Sequence, residues 1–194
     1  MGRAARRLPR LSERAGEAVL ELLAYAARVD GPLTPREVSA LDAAALGLGL
    51  RGRVRWPELL LSDEGHLLPP PLEGLTELER RVAFGAAAWM TRVDGVESFV
   101  ERAFLEFVAE EAGLGENEAW ALRAEAARAR RDGKGLVPMP VEFELLVLGV
   151  LYLYALCPPG GREPYAAAAG RPPAPGDRPA GAAARGPSAA GRAP

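Results

Sequence analysis

Apolar residues return every three or four positions through most of this chain, and each such stretch is bounded by residues that start or stop helices. Val19, Leu20, Leu22, Leu23 and Ala26 form the first stripe, with Ser12 placed to cap it. That helix is expected to run to about Val29, because Gly31 is a natural helix-ending residue and Pro32 cannot continue the hydrogen-bond ladder. Thr34-Pro35-Arg36-Glu37 then carries three agreeing start signals: a capping hydroxyl, proline at the first helical position, and a glutamate reaching back to the cap. The second helix extends to about Leu46, and Gly47 and Gly49 close it.

Thr76-Glu77-Leu78-Glu79 is another capping box, opening a helix through Val82, Phe84, Ala86, Ala87 and Trp89 to Val93. Ser98 and Glu101 cap the next, which carries Phe104, Leu105, Phe107 and Val108 before Gly113 and Gly115. Residues 116–131 read as an amphipathic helix, Trp120 and Leu122 on one side, Arg123, Arg128, Arg130 and Arg131 largely on the other. Arginines near a helix C-terminus suit its macrodipole, a sufficient reason for their presence. Pro138 and Pro140 introduce a last helix over residues 141–157. With a short helix at residues 56–61, the pattern predicts an all-α chain of about seven helices.

The pattern also repeats. Arg28-Val29-Asp30-Gly31 returns unchanged as Arg92-Val93-Asp94-Gly95, each followed at the same distance by a hydroxyl residue (Thr34, Ser98) and a carboxylate (Glu37, Glu101). Residues 20–50 laid on residues 84–114 without a gap share ten identities, among them Leu41 with Leu105 and Gly49-Leu50 with Gly113-Leu114. Ungapped agreement of this kind predicts an internal duplication, with halves at about residues 12–50 and 76–114 joined by a Gly- and Pro-rich connector, residues 51–75. Residues 116–131 and 141–157 close the domain, which spans residues 12–157. Residues 1–11 read as a basic flexible arm. Residues 158–194 hold half of the 18 prolines and almost no large apolar side chains, so they are expected to be disordered.

From Leu145 the last helix has 13 residues without a charge. A bilayer needs about 20, so the run reads first as a core helix, apolar all round because the other helices wrap it. A membrane span is the second reading of this run, and peripheral membrane association is the partner expectation that goes with it.

Charge and composition remove other classes. A net charge of −2, with a basic tail, gives no electrostatic reason to expect nucleic acid. One cysteine, Cys157, excludes an internal disulfide and fits a reducing, cytoplasmic setting; no secretory signal is expected at the N-terminus. The single histidine, His66, lies in the connector and reads as a surface residue. No phosphate-binding glycine loop, nucleophile elbow or zinc-hydrolase motif occurs, so the chain is read as a non-enzyme, with protein partners expected.

The spacing Asp-Gly-x5-Glu invites comparison with a calcium-binding EF-hand loop, in which positions 1 and 3 are ligands. Here those positions hold Ala26 and Arg28 in one copy and Met90 and Arg92 in the other, which excludes that site. Two accounts of the motif then stand. In one, Asp-Gly ends a helix and the hydroxyl-glutamate pair starts the next, so the motif only builds the same helical hairpin twice. In the other, the halves pack about a pseudo-twofold axis and Asp30, Glu37, Asp94 and Glu101 offer oxygen ligands to a divalent metal ion.

Paired Val29-Asp30-Gly31 and Val93-Asp94-Gly95, with Glu37 and Glu101 and the apolar helices around them, resemble the TerB-like fold family of tellurite-resistance TerB proteins and the N-terminal region of the co-chaperone DjlA. The resemblance covers roughly residues 12–132. It implies an all-helical domain of about seven helices in bacterial stress response near the membrane, with an acidic cluster engaging metal. By position, Asp30, Glu37, Asp94 and Glu101 are the metal candidates it implies. No His-Pro-Asp tripeptide occurs, so J-domain co-chaperone activity is not encoded here.

Overall fold

A computed structural model describes residues 11–52, 71–95, 97–132 and 137–156. Among these residues the chain is all-helical, with six helices and no strand: α1 (Glu13–Ala26), α2 (Pro35–Gly47), α3 (Glu77–Met90), α4 (Phe99–Glu111), α5 (Glu116–Asp132) and α6 (Met139–Leu156). The expected helix at residues 56–61, His66, Cys157 and the tail lie outside the described residues.

The helix starts follow local chemistry. Thr34, Thr76 and Ser98 each close a reciprocal capping box, the hydroxyl accepting from the backbone N–H of Glu37, Glu79 or Glu101 while that glutamate accepts from the cap's own N–H. Ser12 caps α1 by accepting from the Ala15 N–H. The ends of α2 and α4 are also matched. Gly49 and Gly113 adopt left-handed φ values of 74° and 68°, and the following Leu50 and Leu114 donate back to the carbonyls of Ala45 and Ala109. This six-to-one closure satisfies carbonyls that the helix itself leaves open, and glycine enters the required conformation without a Cβ clash.

The end of α1 differs from the expectation. It stops at Ala26, and the chain leaves through tight turns in which Arg28 N–H donates to Tyr25 and Gly31 N–H to Arg28. Gly31 is not among the glycines with positive φ, so it does not terminate the helix by a left-handed step.

The wrapped helix is α3, not α6. From Arg81 to Met90 every residue of α3 is buried, and α1, α4, α5 and α6 all pack against it. Small residues permit this: a Cβ on Gly85 would sit 3.0 Å from Val150 of α6, and Ala83, Ala86, Ala87 and Ala88 keep the surrounding helix surface shallow. Trp89 fills the space they leave, meeting Phe143 of α6 edge-on at 5.5 Å. Phe143 in turn packs onto Gly47 at the end of α2. The expectation that neighbours surround α6 is corrected here. Phe143, Leu146, Val147, Val150 and Leu153 face the core, whereas Leu148, Tyr152 and Leu156 are exposed. Among the described residues, α6 lies against α2, α3 and α5 and is covered on one side only.

Candidate functional site

The two Asp-Gly turns follow α1 and α3, two helices packed against each other, and an aromatic stack also ties α1 to α4. Tyr25, in the last turn of α1, lies on Phe104 of α4 with ring centres 5.3 Å apart and planes 26° from parallel. Tyr25 is five residues before Asp30 and Phe104 is one turn beyond Glu101, so the stack draws the first turn toward the start of α4.

The four acidic candidates then separate into two kinds. Glu37 and Glu101 are buried and committed to their capping boxes, each through Oε2, which accepts from Thr34 N–H and Ser98 N–H at 2.6 Å. Asp30 and Asp94 are exposed. Glu101 feels both of them: burial pushes its carboxyl pKa above the usual range, the negative charges of Asp30 and Asp94 push the same way, and the hydrogen bonds from Ser98 act against this. Both aspartates thus act on Glu101 in the same direction as burial, and more weakly than burial does.

Convergence stops short of a metal centre. Among the described residues no group of three or more His, Cys, Asp or Glu side chains stands at metal-binding spacing. Glu37 and Glu101 hold helix starts, so the set does not fit a preassembled four-carboxylate site of the kind that hard cations need.

The arginine beside the second turn has a partner of its own. Arg92 donates to Glu97 at 3.1 Å, and Glu97 also receives Arg123 of α5 and, at 3.5 Å, Arg102 of α4. The carboxylate of Glu97, 7% exposed, is thus enclosed by three guanidinium groups. Deeper, Arg130 of α5 binds both oxygens of Glu142 at 2.9 and 2.7 Å and donates its other nitrogen to the Val93 carbonyl at 3.1 Å. One guanidinium group therefore joins α5, the start of α6 and the residue before Asp94. Sequence reasoning assigned no such contacts to Glu97, Arg123, Arg130 and Glu142. For Glu97 a signal existed, since it stands where the first copy has Leu33. A charge replacing an apolar residue at a matched position marks a new contact. Arg130 and Glu142 carried no such mark, because each looks like an ordinary helix-surface charge.

No family model, curated protein or solved structure matches this chain.

Proposed function

We propose that this chain is a TerB-like, non-enzymatic stress-response domain of the tellurite-resistance type, internally duplicated, which works as an interaction module through the acidic end formed by Asp30, Asp94 and Glu101. The observation that carries this reading is that both aspartates stand exposed just beyond α1 and α3, two helices packed against each other, while Glu37 and Glu101 are taken up in capping boxes. Nothing in turn geometry requires aspartate at both positions, and two exposed carboxylates are oxygen donors that a cationic ligand can use. Beside this end α4 exposes Phe99 and Val100, at 83 and 48%, where the first copy has Pro35 and Arg36. The first copy shows that the hairpin does not need those apolar groups, which suits a surface that meets a partner.

A divalent cation is the simplest ligand for the two aspartates. With Glu37 and Glu101 held in caps, it would be bound mainly by Asp30 and Asp94 and by water, hence weakly. Calorimetric titration of the protein with Ca²⁺, Mg²⁺, Mn²⁺ and Zn²⁺ tests this. Binding heat that Asp30→Asn combined with Asp94→Asn abolishes supports a cation role. Absence of heat with every ion leaves the Asp-Gly and Glu motifs as helix-building elements of a structural adaptor.

A further inference from the structure

The uncovered side of α6 has a regular pattern. Val141, Leu148, Tyr152 and Leu156 are 39, 46, 65 and 53% exposed, and half-buried Leu145 lies among them. From Val141 through Leu145, Leu148 and Tyr152 to Ala155 the steps are four, three, four and three residues. That alternation keeps one seam facing a neighbouring helix that crosses at a shallow angle. No described part of this chain occupies the seam.

The charges on its two rims are of opposite sign and lie at one height. α5 runs antiparallel to α6, with Arg130 against Glu142 and the Glu125 side chain lying over Gly149. Arg128 therefore stands level with Leu145, and both line the open groove beside the stripe, together with Leu148, Tyr152 and Leu156. Arg128 also pairs with Glu125 and is half exposed. Glu144 is exposed and lies roughly 140° around the helix from Gly149, which puts it on the opposite rim. A twofold axis running along the seam sets each rim against the opposite rim at equal height, so that Glu144 of each copy meets Arg128 of the other. A twofold axis perpendicular to the seam sets like rims together, Glu144 against Glu144.

We propose that α6 pairs in parallel with α6 of a second copy of this chain, through Val141, Leu145, Leu148 and Tyr152, with Glu144 and Arg128 closing the rims. The pairing is independent of the acidic end and of any cation there. It also accounts for the hydropathy of α6, which is high enough for a membrane span although its core-facing side is already occupied. A lipid surface is the competing occupant of an apolar helix. It gains nothing from the three-four spacing, and with anionic headgroups repelling Glu144 while attracting Arg128 it gains no net electrostatic advantage from the rims.

Sedimentation equilibrium of the full chain between about 1 and 200 µM is the direct test. The expected result is a monomer-dimer equilibrium that Leu148→Glu weakens by at least about tenfold, with helicity unchanged, and Tm unchanged at concentrations where both proteins are monomeric, because Leu148 is not a core residue. In a Cys157→Ser background, Tyr152→Cys is expected to form a disulfide-linked dimer on mild oxidation faster than the exposed control Ser39→Cys. A protein monomeric at every concentration overturns the proposal, as does a dimer that Leu148→Glu leaves intact. Cross-linking no faster at 152 than at 39 overturns the parallel pairing. A monomer that co-sediments with phosphatidylcholine-phosphatidylglycerol vesicles, and loses that binding with Leu148→Glu, assigns the stripe to lipid instead.

Discussion

Gly31 and Gly95 occupy matching places in the two copies of the Arg-Val-Asp-Gly string, yet they answer to different constraints. Gly95 has φ 133°, a region closed to side-chain-bearing residues, whereas Gly31 has no such φ and a Cβ there meets nothing within 4 Å. Gly95→Ala is therefore expected to destabilise the fold by about 1 kcal/mol or more, and Gly31→Ala to be neutral or slightly stabilising by restricting the unfolded chain. Urea denaturation of the two variants compares them directly, and equal losses would mean that the turns share one backbone constraint. Sequence alone shows two identical glycines, because φ depends on how the chain leaves the turn and not on the four letters. The same holds for the aspartates. Their identity was legible, but their places relative to α4 are set by tertiary contacts such as the packing of α1 on α3 and the stacking of Tyr25 on Phe104, which are 79 positions apart.

Between elements, Glu79 is the clearest case of one residue serving two helices. Its Oε2 accepts from the N–H and the hydroxyl of Thr76 at the start of α3, and its Oε1 accepts from the N–H and the hydroxyl of Ser12 at the start of α1. Burial alone raises its pKa, but these four hydrogen bonds outweigh burial and bring it from an ordinary 4.5 to about 2. A carboxyl whose pKa is depressed on folding favours the folded state fully above its unfolded value, and that contribution is lost as pH falls from 4.5 toward 2. Its size is on the order of 2–3 kcal/mol. Glu79→Gln is thus expected to lower stability at pH 7 and to flatten the stability profile below pH 4.5, as read by thermal unfolding at a series of pH values. An unchanged acid limb would show that another group dominates acid unfolding. The capping box itself was visible in Thr76-Glu77-Leu78-Glu79, since it needs only residues three apart. The link to Ser12 was not, since 67 positions separate the partners.

Across the whole molecule, the buried Arg130–Glu142 pair is the joint that locks α5 and α6 to the turn before Asp94. Glu142 is 1% exposed, so removing its partner leaves a carboxylate without compensation. Arg130→Met is expected to cost about 3 kcal/mol, and adding Glu142→Leu to recover most of it, because the desolvated charge goes with its partner. Arg102→Met, whose contact with Glu97 is 57% exposed on the arginine side, is the control and should change stability by less than about 1 kcal/mol. Chemical denaturation of the three variants measures this. A double variant as weak as Arg130→Met alone would place the stabilisation in the Arg130 bond to the Val93 carbonyl.

Helix content, the hydroxyl-glutamate starts and the glycine closures at Gly49 and Gly113 all follow from residues within one or two turns of each other, and those were readable from the chain as letters. Which helix becomes the centre was not. Apolarity ranks α6 first, but burial on all sides demands that neighbouring backbones approach, and Gly85 with its flanking alanines makes α3 the helix that allows it. The bulkier α6 is left with its Leu148 and Tyr152 side uncovered. In the same way, the matching Asp-Gly turns were plain in the sequence, whereas tertiary packing decided that Asp30 and Asp94 bear on one glutamate while Glu37 and Glu101 are held in caps. Local hydrogen bonds are set by neighbours along the chain; the action of both aspartates on Glu101 is set by helices that meet only after folding.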